Sequence, residues 1–110
     1  MSDLQIIEST IFEYFKASNT KNETKLLALF ADDATVVDEG KTHTGIAEIQ
    51  SWRNKVNSIY DVRFEIIGES SNEDGTIVEA KCSGNFPGSP LVIKHFFVLL
   101  GQKISHLKIV

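Results

Sequence analysis

Apolar residues near the start of the chain recur at helical spacing. Leu4, Ile7, Ile11 and Tyr14 follow one another at steps of three or four residues, which is the spacing of one face of an α-helix. The pattern predicts an amphipathic helix over residues 3–18. Because one face of this helix is apolar, it requires a partner surface such as a sheet.

The next segment indicates a short helix, a strand and a longer helix. Asn22 is a suitable N-cap for a second helix that reaches Phe30, since an asparagine side chain can accept a hydrogen bond from the first turn. Residues 34–38 then become extended, which predicts a first strand. Gly45 precedes a new run of apolar residues at helical spacing, and this run predicts a third helix to about residue 57.

Beyond residue 60 the hydrophobic period changes to two, which is the period of a strand with one buried face. Val62, Phe64 and Ile66 alternate with charged residues. Turn-forming residues at 71–75 and 87–90 and the pair 101–102 separate the following strands. The pattern predicts a four-stranded antiparallel meander with strands that begin at residues 62, 76, 91 and 103.

The strand Leu91–Leu100 is apolar at both odd and even positions. Both of its faces must therefore be covered. We assign Lys94 and Phe96 to the inner face, towards the helices, and His95 and Phe97 to the outer face. No chain is left to cover the outer face, so we expect a homodimer that packs sheet against sheet.

Composition narrows the class of protein. The 110 residues, 42% of them hydrophobic and 24% charged, suit a single domain over residues 1–110. The net charge of −4 argues against nucleic-acid and membrane partners. The longest apolar run is Phe96–Leu100 and the N-terminus has no basic segment, so we expect a cytoplasmic protein. Cys82 is the only cysteine and no histidine cluster has metal-ligand spacing, so neither a metal nor another cofactor is expected.

Three segments resemble one protein superfamily. They are Leu29–Asp38, Gly45–Trp52 and Phe86–Pro90, and together with the order of elements they are similar to the nuclear-transport-factor-2-like superfamily, in particular its SnoaL-like and ketosteroid-isomerase-like members. The resemblance implies a cone-shaped α+β (cystatin-like) fold, with three N-terminal helices packed on a curved, mainly antiparallel sheet. This superfamily includes isomerases, polyketide cyclases and dehydratases, and also members that only bind ligands or proteins.

The ketosteroid isomerase resemblance implies roles for individual residues. It places the tyrosine that stabilises an oxyanion at Tyr14 and the carboxylate base at Asp38. The second oxyanion donor of those enzymes, a neutral acid, falls on Lys94, and the tyrosine that supports the first donor falls on Arg53. Because an ammonium group is not a neutral acid, we expect steroid isomerase activity to be absent or very weak.

Each candidate residue also has a purely structural interpretation. Asp38 could cap the turn that follows it, and Tyr14 could be a core residue with one hydrogen-bond partner. Lys94 could reach the rim, pair with Asp38, or bind a substrate carboxylate or enolate. The expected substrate-binding residues are Lys94 and the aromatic residues Phe15, Trp52, Phe64, Phe86 and Phe96, although aromatic residues at such spacing also form plain cores.

The function hypothesis is a domain that binds a small apolar or carbonyl-bearing molecule between the helices and the sheet. If it is an enzyme, cofactor-free acid–base chemistry of the isomerase, cyclase or dehydratase type is expected, with Asp38 as base and Tyr14 as hydrogen-bond donor. The alternative is a non-catalytic module of the same fold that binds a ligand or another protein.

Overall fold

A computed structural model describes residues 9–110 of the chain. Residues 3–8 of the predicted first helix therefore lie outside the described residues. Three helices and six strands occur in the order α1 (Ser9–Asn19), α2 (Glu23–Ala28), β1 (Phe30–Asp38), β2 (Lys41–Thr44), α3 (Gly45–Ile59), β3 (Val62–Asn72), β4 (Gly75–Gly84), β5 (Leu91–Leu100) and β6 (Lys103–Ile109).

The strands form one mixed sheet in the order β2-β1-β6-β5-β4-β3. The predicted antiparallel meander is confirmed by the pairs β3–β4, β4–β5 and β5–β6. β1 adds to β6 in parallel, so the sheet is mainly but not wholly antiparallel. The sheet is open, with β2 and β3 at its edges. The helices do not form one N-terminal block, because α3 follows β1 and β2.

Strand β2 was not expected, because its sequence Lys41–Thr44 is polar and short. It forms because Glu39 and Gly40, with φ of 54° and 76°, make a two-residue turn in the left-handed region, which is the conformation of a tight hairpin turn. Asp38 then pairs with Lys41, and Val36 with His43. The hairpin places Asp38 at the end of β1 and brings His43 towards α3.

The core lies between the helices and one face of the sheet. Ile11, Tyr14 and Phe15 of α1 are buried, whereas Phe12 points away and is 52% exposed, as expected for an amphipathic helix. Phe97 of β5 is fully buried and contacts Tyr14 edge to face, with ring centroids 5.5 Å apart. The inner face of β5 thus packs directly on α1.

The assignment of the two faces of β5 from sequence was wrong. His95 and Phe97 face the helices and are buried, whereas Lys94 is exposed on the outer face and Phe96 is half-buried there. The register with β4 decides this, because Lys94 lies opposite Glu79 on the solvent side of that strand. A strand that is apolar at both parities does not reveal which face is buried.

Within residues 9–110 no helix is long and apolar enough to cross a membrane.

Candidate functional site

A cavity of about 450 Å³ lies between α1, α3 and the inner face of the sheet. Ligand pockets are typically about 300–1,000 Å³ and mostly apolar with a few polar groups. This cavity fits that description. Its polar lining includes Tyr14, Ser18, Asp38, His43, Arg53, Asn57 and His95, and its apolar lining includes Trp52, Val56, Phe64, Phe86, Leu91 and Ile93.

Tyr14 presents its phenol to this cavity from α1. The residue is 2% exposed and its ring lies edge to face against Phe15, Phe30 and Phe97. No residue within 9–110 forms a hydrogen bond with its hydroxyl group. Burial, partly opposed by the charge of Arg53, raises the pKa of Tyr14 to about 12. The phenol therefore stays protonated at neutral pH and can donate a hydrogen bond to a ligand.

Asp38 faces the cavity rather than the turn that follows it. The indole Nε1 of Trp52 donates a hydrogen bond of 3.0 Å to Asp38 Oδ2. The imidazole of His43 stacks on Trp52, with ring centroids 5.9 Å apart and an angle of 27° between the planes. The hydrogen bond fixes one carboxylate oxygen of Asp38 and leaves the other available to a ligand. The surface turn-cap interpretation does not describe this side chain.

Arg53 is a buried cation in the wall of the cavity. It is 5% exposed, and its Nε and Nη2 donate to the two carboxylate oxygens of Glu23 at 2.8 and 2.9 Å. Burial is the largest single influence and lowers the pKa of the guanidinium, but the hydrogen bond to Glu23 and the charges of Tyr14 and Glu23 together outweigh it, so the pKa is raised. The same hydrogen bond lowers the pKa of Glu23. This pair joins α2 to α3 and keeps a positive charge beside the cavity.

His95 contributes an uncharged imidazole. It is 1% exposed and is surrounded by the rings of Phe15, Phe64 and Phe97, with centroids 5.0 to 6.2 Å away. Burial lowers the pKa of His95 to about 4, because an apolar environment disfavours the imidazolium. At neutral pH this histidine is therefore neutral.

Aromatic and aliphatic groups form the mouth of the cavity. Tyr60, at the end of α3, contacts Phe86 edge to face at 6.4 Å. Ile59 and Leu91 also border the opening and are 52% and 48% exposed. The opening thus combines these apolar groups with the exposed charged side chains of Glu39, Lys41 and Lys55, which also line the cavity.

The structure brings together five of the residues singled out in the sequence. Tyr14, Asp38, Trp52, Phe64 and Phe86 all line this cavity.

Three other expected site residues lie elsewhere. Phe15 is buried behind Tyr14 and His95, where it packs in the core. Lys94 and Phe96 are on the opposite face of the sheet, because the register of β5 turns odd-numbered residues inward. Lys94 therefore does not pair with Asp38 across the cavity.

The site residues expected from the sequence did not include Arg53, His43 or His95, although the resemblance aligned Arg53 with the residue that supports Tyr14. Arg53 had a readable signal, since it is a charged residue within the apolar stripe of α3, and buried arginines are normally paired. His43 had none, because its position depends on the unexpected strand β2. His95 followed the wrong face assignment of β5. Within residues 9–110 no three histidine, cysteine, aspartate or glutamate side chains are grouped as metal ligands.

Comparisons with solved structures support the fold. A proposed polyketide cyclase from Sinorhizobium meliloti is 29% identical, with a TM-score of 0.91 and 100% coverage of both chains. A protein from Catenulispora acidiphila with a ketosteroid-isomerase-like fold, solved in complex with trimethylamine, is 23% identical, with a TM-score of 0.83 and coverage of 96% of this chain and 86% of that one. A proposed polyketide cyclase from Pseudomonas putida is 20% identical, with a TM-score of 0.76 and coverage of 94% and 89%.

No curated protein matches the sequence. The model of the SnoaL-like domain, however, matches residues 11–105. That match spans all three helices except the first two residues of α1, and all strands except the end of β6. The chain therefore has a nuclear-transport-factor-2-like fold and belongs to the family of SnoaL-like domains.

Proposed function

We propose that this domain binds a small, mainly apolar molecule with a carbonyl group, and that it moves a proton at the carbon next to that carbonyl. The observation that carries the proposal is that the Tyr14 phenol and the Asp38 carboxylate border the same cavity. Tyr14 supplies a hydrogen-bond donor and Asp38 supplies a base. Two of the solved structures that are similar to this chain are of proposed polyketide cyclases.

The proposed step needs no cofactor. Asp38 takes a proton from the carbon next to the carbonyl, and the electron pair of the broken C–H bond forms a carbon–carbon double bond. The carbonyl π electrons move onto the oxygen, which becomes an enolate oxygen and accepts a hydrogen bond from Tyr14. Proton transfer to a positioned side chain typically contributes about 10²- to 10⁴-fold to a rate, and donors aimed at a developing oxyanion contribute a further large factor.

The alternative is a non-catalytic binding domain that uses the same cavity. The hydrogen bond from Trp52 to Asp38 favours this alternative, because it holds the carboxylate in place as a fixed acceptor. In that case a ligand binds without any exchange of its protons. Both functions therefore predict ligand binding, whereas only the enzyme is expected to exchange protons of the ligand.

A binding titration tests whether the domain binds such a ligand, which both functions require. 2-Acetylnaphthalene carries an apolar body and one carbonyl, and calorimetry measures its dissociation constant with the wild type and with Tyr14→Phe. The loss of one hydrogen bond should weaken binding by about tenfold. Tyr60→Phe is the matched control, because it removes a phenol at the mouth of the cavity. Undetectable binding to the wild type, or equal effects of both variants, would contradict the proposal.

We also propose that the outer face of the sheet packs against a second copy of the chain. Ile77 and Val92 are 38% and 56% exposed on this face, and Phe96 and Val98 are half-buried beside them. Lys94 and the opposite residue Glu79 add charges of both signs to the same surface. A mixed surface of this kind can be self-complementary in a two-fold dimer.

The expected location in the cytoplasm stays a prediction from the sequence.

A further inference from the structure

The guanidinium group of Arg53 is only partly used by the protein. Nε and Nη2 donate to Glu23, and Nη2 lies 3.5 Å from Ser18 Oγ. Nη1 has no acceptor among residues 9–110. Because Arg53 is 5% exposed and borders the cavity, the cavity is the route by which a ligand reaches this donor.

Tyr14 supplies a second donor close to the first. Tyr14 and Ser18 are four residues apart on α1, so their side chains lie one above the other on the same helix face. Ser18 Oγ lies 3.5 Å from Arg53 Nη2, so the guanidinium lies against the same face of α1 that carries Tyr14. The mutual influence of Tyr14 and Arg53 on their pKa values agrees with this proximity.

The charges around this part of the cavity favour an oxygen that becomes negative. Glu23 balances the charge of Arg53 but occupies only the Nε and Nη2 side of the guanidinium. Asp38 is a negative group on the same cavity. When Asp38 takes a proton, its own charge disappears and a negative charge arises on the ligand. Asp38 then no longer repels the negative oxygen of the ligand, and the attraction between this oxygen and Arg53 rises.

We propose that Arg53 Nη1 and Tyr14 Oη both donate hydrogen bonds to one oxygen atom of the ligand. This oxygen carries a negative charge while Asp38 is protonated and neutral. The proposal rests on the proposed function and deepens it: the substrate is a carbonyl compound whose enolate oxygen occupies this site. Arg53, not Lys94, is then the second donor to that oxygen. Hydrogen bonds from a charged donor are about twice as strong as neutral ones.

Two ligands of nearly equal shape test this site. 2-Naphthoate carries a carboxylate where 2-acetylnaphthalene carries a neutral acetyl group, and it serves as a stable stand-in for the enolate. Both dissociation constants are measured at pH 7 in the Asp38→Asn variant, in which the base is uncharged. We expect 2-naphthoate to bind about tenfold more tightly than 2-acetylnaphthalene.

Changes to the ion pair then separate ligand binding by Arg53 from a purely structural role. In the same background, Glu23→Gln should keep or increase the preference for 2-naphthoate, because it removes a competing negative charge and leaves Arg53 in place. The combined changes Arg53→Gln and Glu23→Gln should abolish the preference while 2-acetylnaphthalene still binds. Circular dichroism checks that each variant is folded. If the combined variant does not fold, Arg53→Lys is used, and the preference should fall because Glu23 holds the single ammonium group.

The possible outcomes distinguish this inference from the proposed function. If the Asp38→Asn protein binds both ligands with equal affinity and binds 2-acetylnaphthalene tightly, the role of Arg53 is overturned. The proposed function is then unaffected. Loss of the preference in Glu23→Gln would also overturn the role of Arg53, since Arg53 would then act only through Glu23. Absence of binding for both ligands would contradict the proposed function and this inference with it.

Discussion

The indole Nε1 of Trp52 donates a hydrogen bond of 3.0 Å to Asp38 Oδ2. This contact joins the end of β1 to the middle of α3, and it turns the carboxylate from the solvent-exposed hairpin towards the cavity. Trp52 is 7% exposed, so its N–H group has little access to water. The contact thus serves both the stability of the fold and the orientation of the proposed base.

Substitutions of Asp38 separate these two roles. Asp38→Asn keeps an oxygen that accepts the hydrogen bond from Trp52, whereas Asp38→Ala leaves the indole N–H unpaired. An unpaired buried donor costs about 1–3 kcal/mol. We therefore expect Asp38→Ala, but not Asp38→Asn, to lower the free energy of unfolding by at least about 1 kcal/mol in urea denaturation. Equal stability of the two variants would show that the hydrogen bond contributes little to folding.

The buried His95 should make the domain less stable in mild acid. Its pKa is about 4 in the folded protein against an ordinary value of 6.5. Between these values the unfolded chain binds a proton that the folded chain does not. Stability is therefore fully present above about pH 6.5 and is lost as the pH falls towards 4, by up to about 3 kcal/mol.

Denaturation at a series of pH values measures this loss. His95→Leu should remove most of the decline between pH 6.5 and 4, because the variant has no group to protonate at this position. His106 lies on the outer face of the sheet, so His106→Asn measures how much a histidine outside the core contributes to the decline in stability. A decline in His95→Leu as steep as in the wild type would refute the assignment to His95.

The outer face gives an independent prediction about assembly. Phe96→Glu places a charge in the apolar patch of this face, and we expect it to convert a dimer to monomers in light scattering while the protein stays folded. Phe12→Glu, at an exposed position on α1, should leave the dimer intact. A wild-type protein that is monomeric at high micromolar concentration would contradict the predicted dimer. Phe97, by contrast, is fully buried, so a charge there should unfold the chain rather than separate two copies.

Lys94 should have no part in ligand binding. The sequence resemblance placed it at a donor position, but the register of β5 turns it to the outer face opposite Glu79. We expect Lys94→Asp to leave the affinity for 2-acetylnaphthalene within about twofold of the wild type, because the changed charge lies across the sheet from the cavity. A tenfold change in calorimetry would show that Lys94 reaches the ligand after all.

Local patterns were sufficient to predict most elements of this fold. The alternation of Val62, Phe64 and Ile66 and the turn residues of the hairpins led to the antiparallel meander, and Asn22 does cap α2 through a hydrogen bond from Lys25 N. These features depend on neighbouring residues, which a sequence displays directly. The family resemblance then located Tyr14 and Asp38.

The remaining features depend on contacts between distant segments. The inner face of β5 is decided by its register with β4, where Val78 pairs with His95. The ion pair of Arg53 depends on where α2 places Glu23 relative to α3. Neither relationship has a period or a motif, so the sequence did not predict the ion pair of Arg53 with Glu23, although the resemblance aligned Arg53 with the residue that supports Tyr14.

Deuterium exchange is the most direct test of the central claim that Tyr14 and Asp38 act on a carbonyl ligand in this cavity. 2-Acetylnaphthalene is incubated with the protein in D₂O, and NMR follows the loss of its acetyl methyl signal. We expect exchange well above the rate without protein, a decrease of about 10²-fold or more in Asp38→Asn, and a smaller decrease in Tyr14→Phe. Exchange at the rate without protein, or an undiminished rate in Asp38→Asn, would contradict the claim.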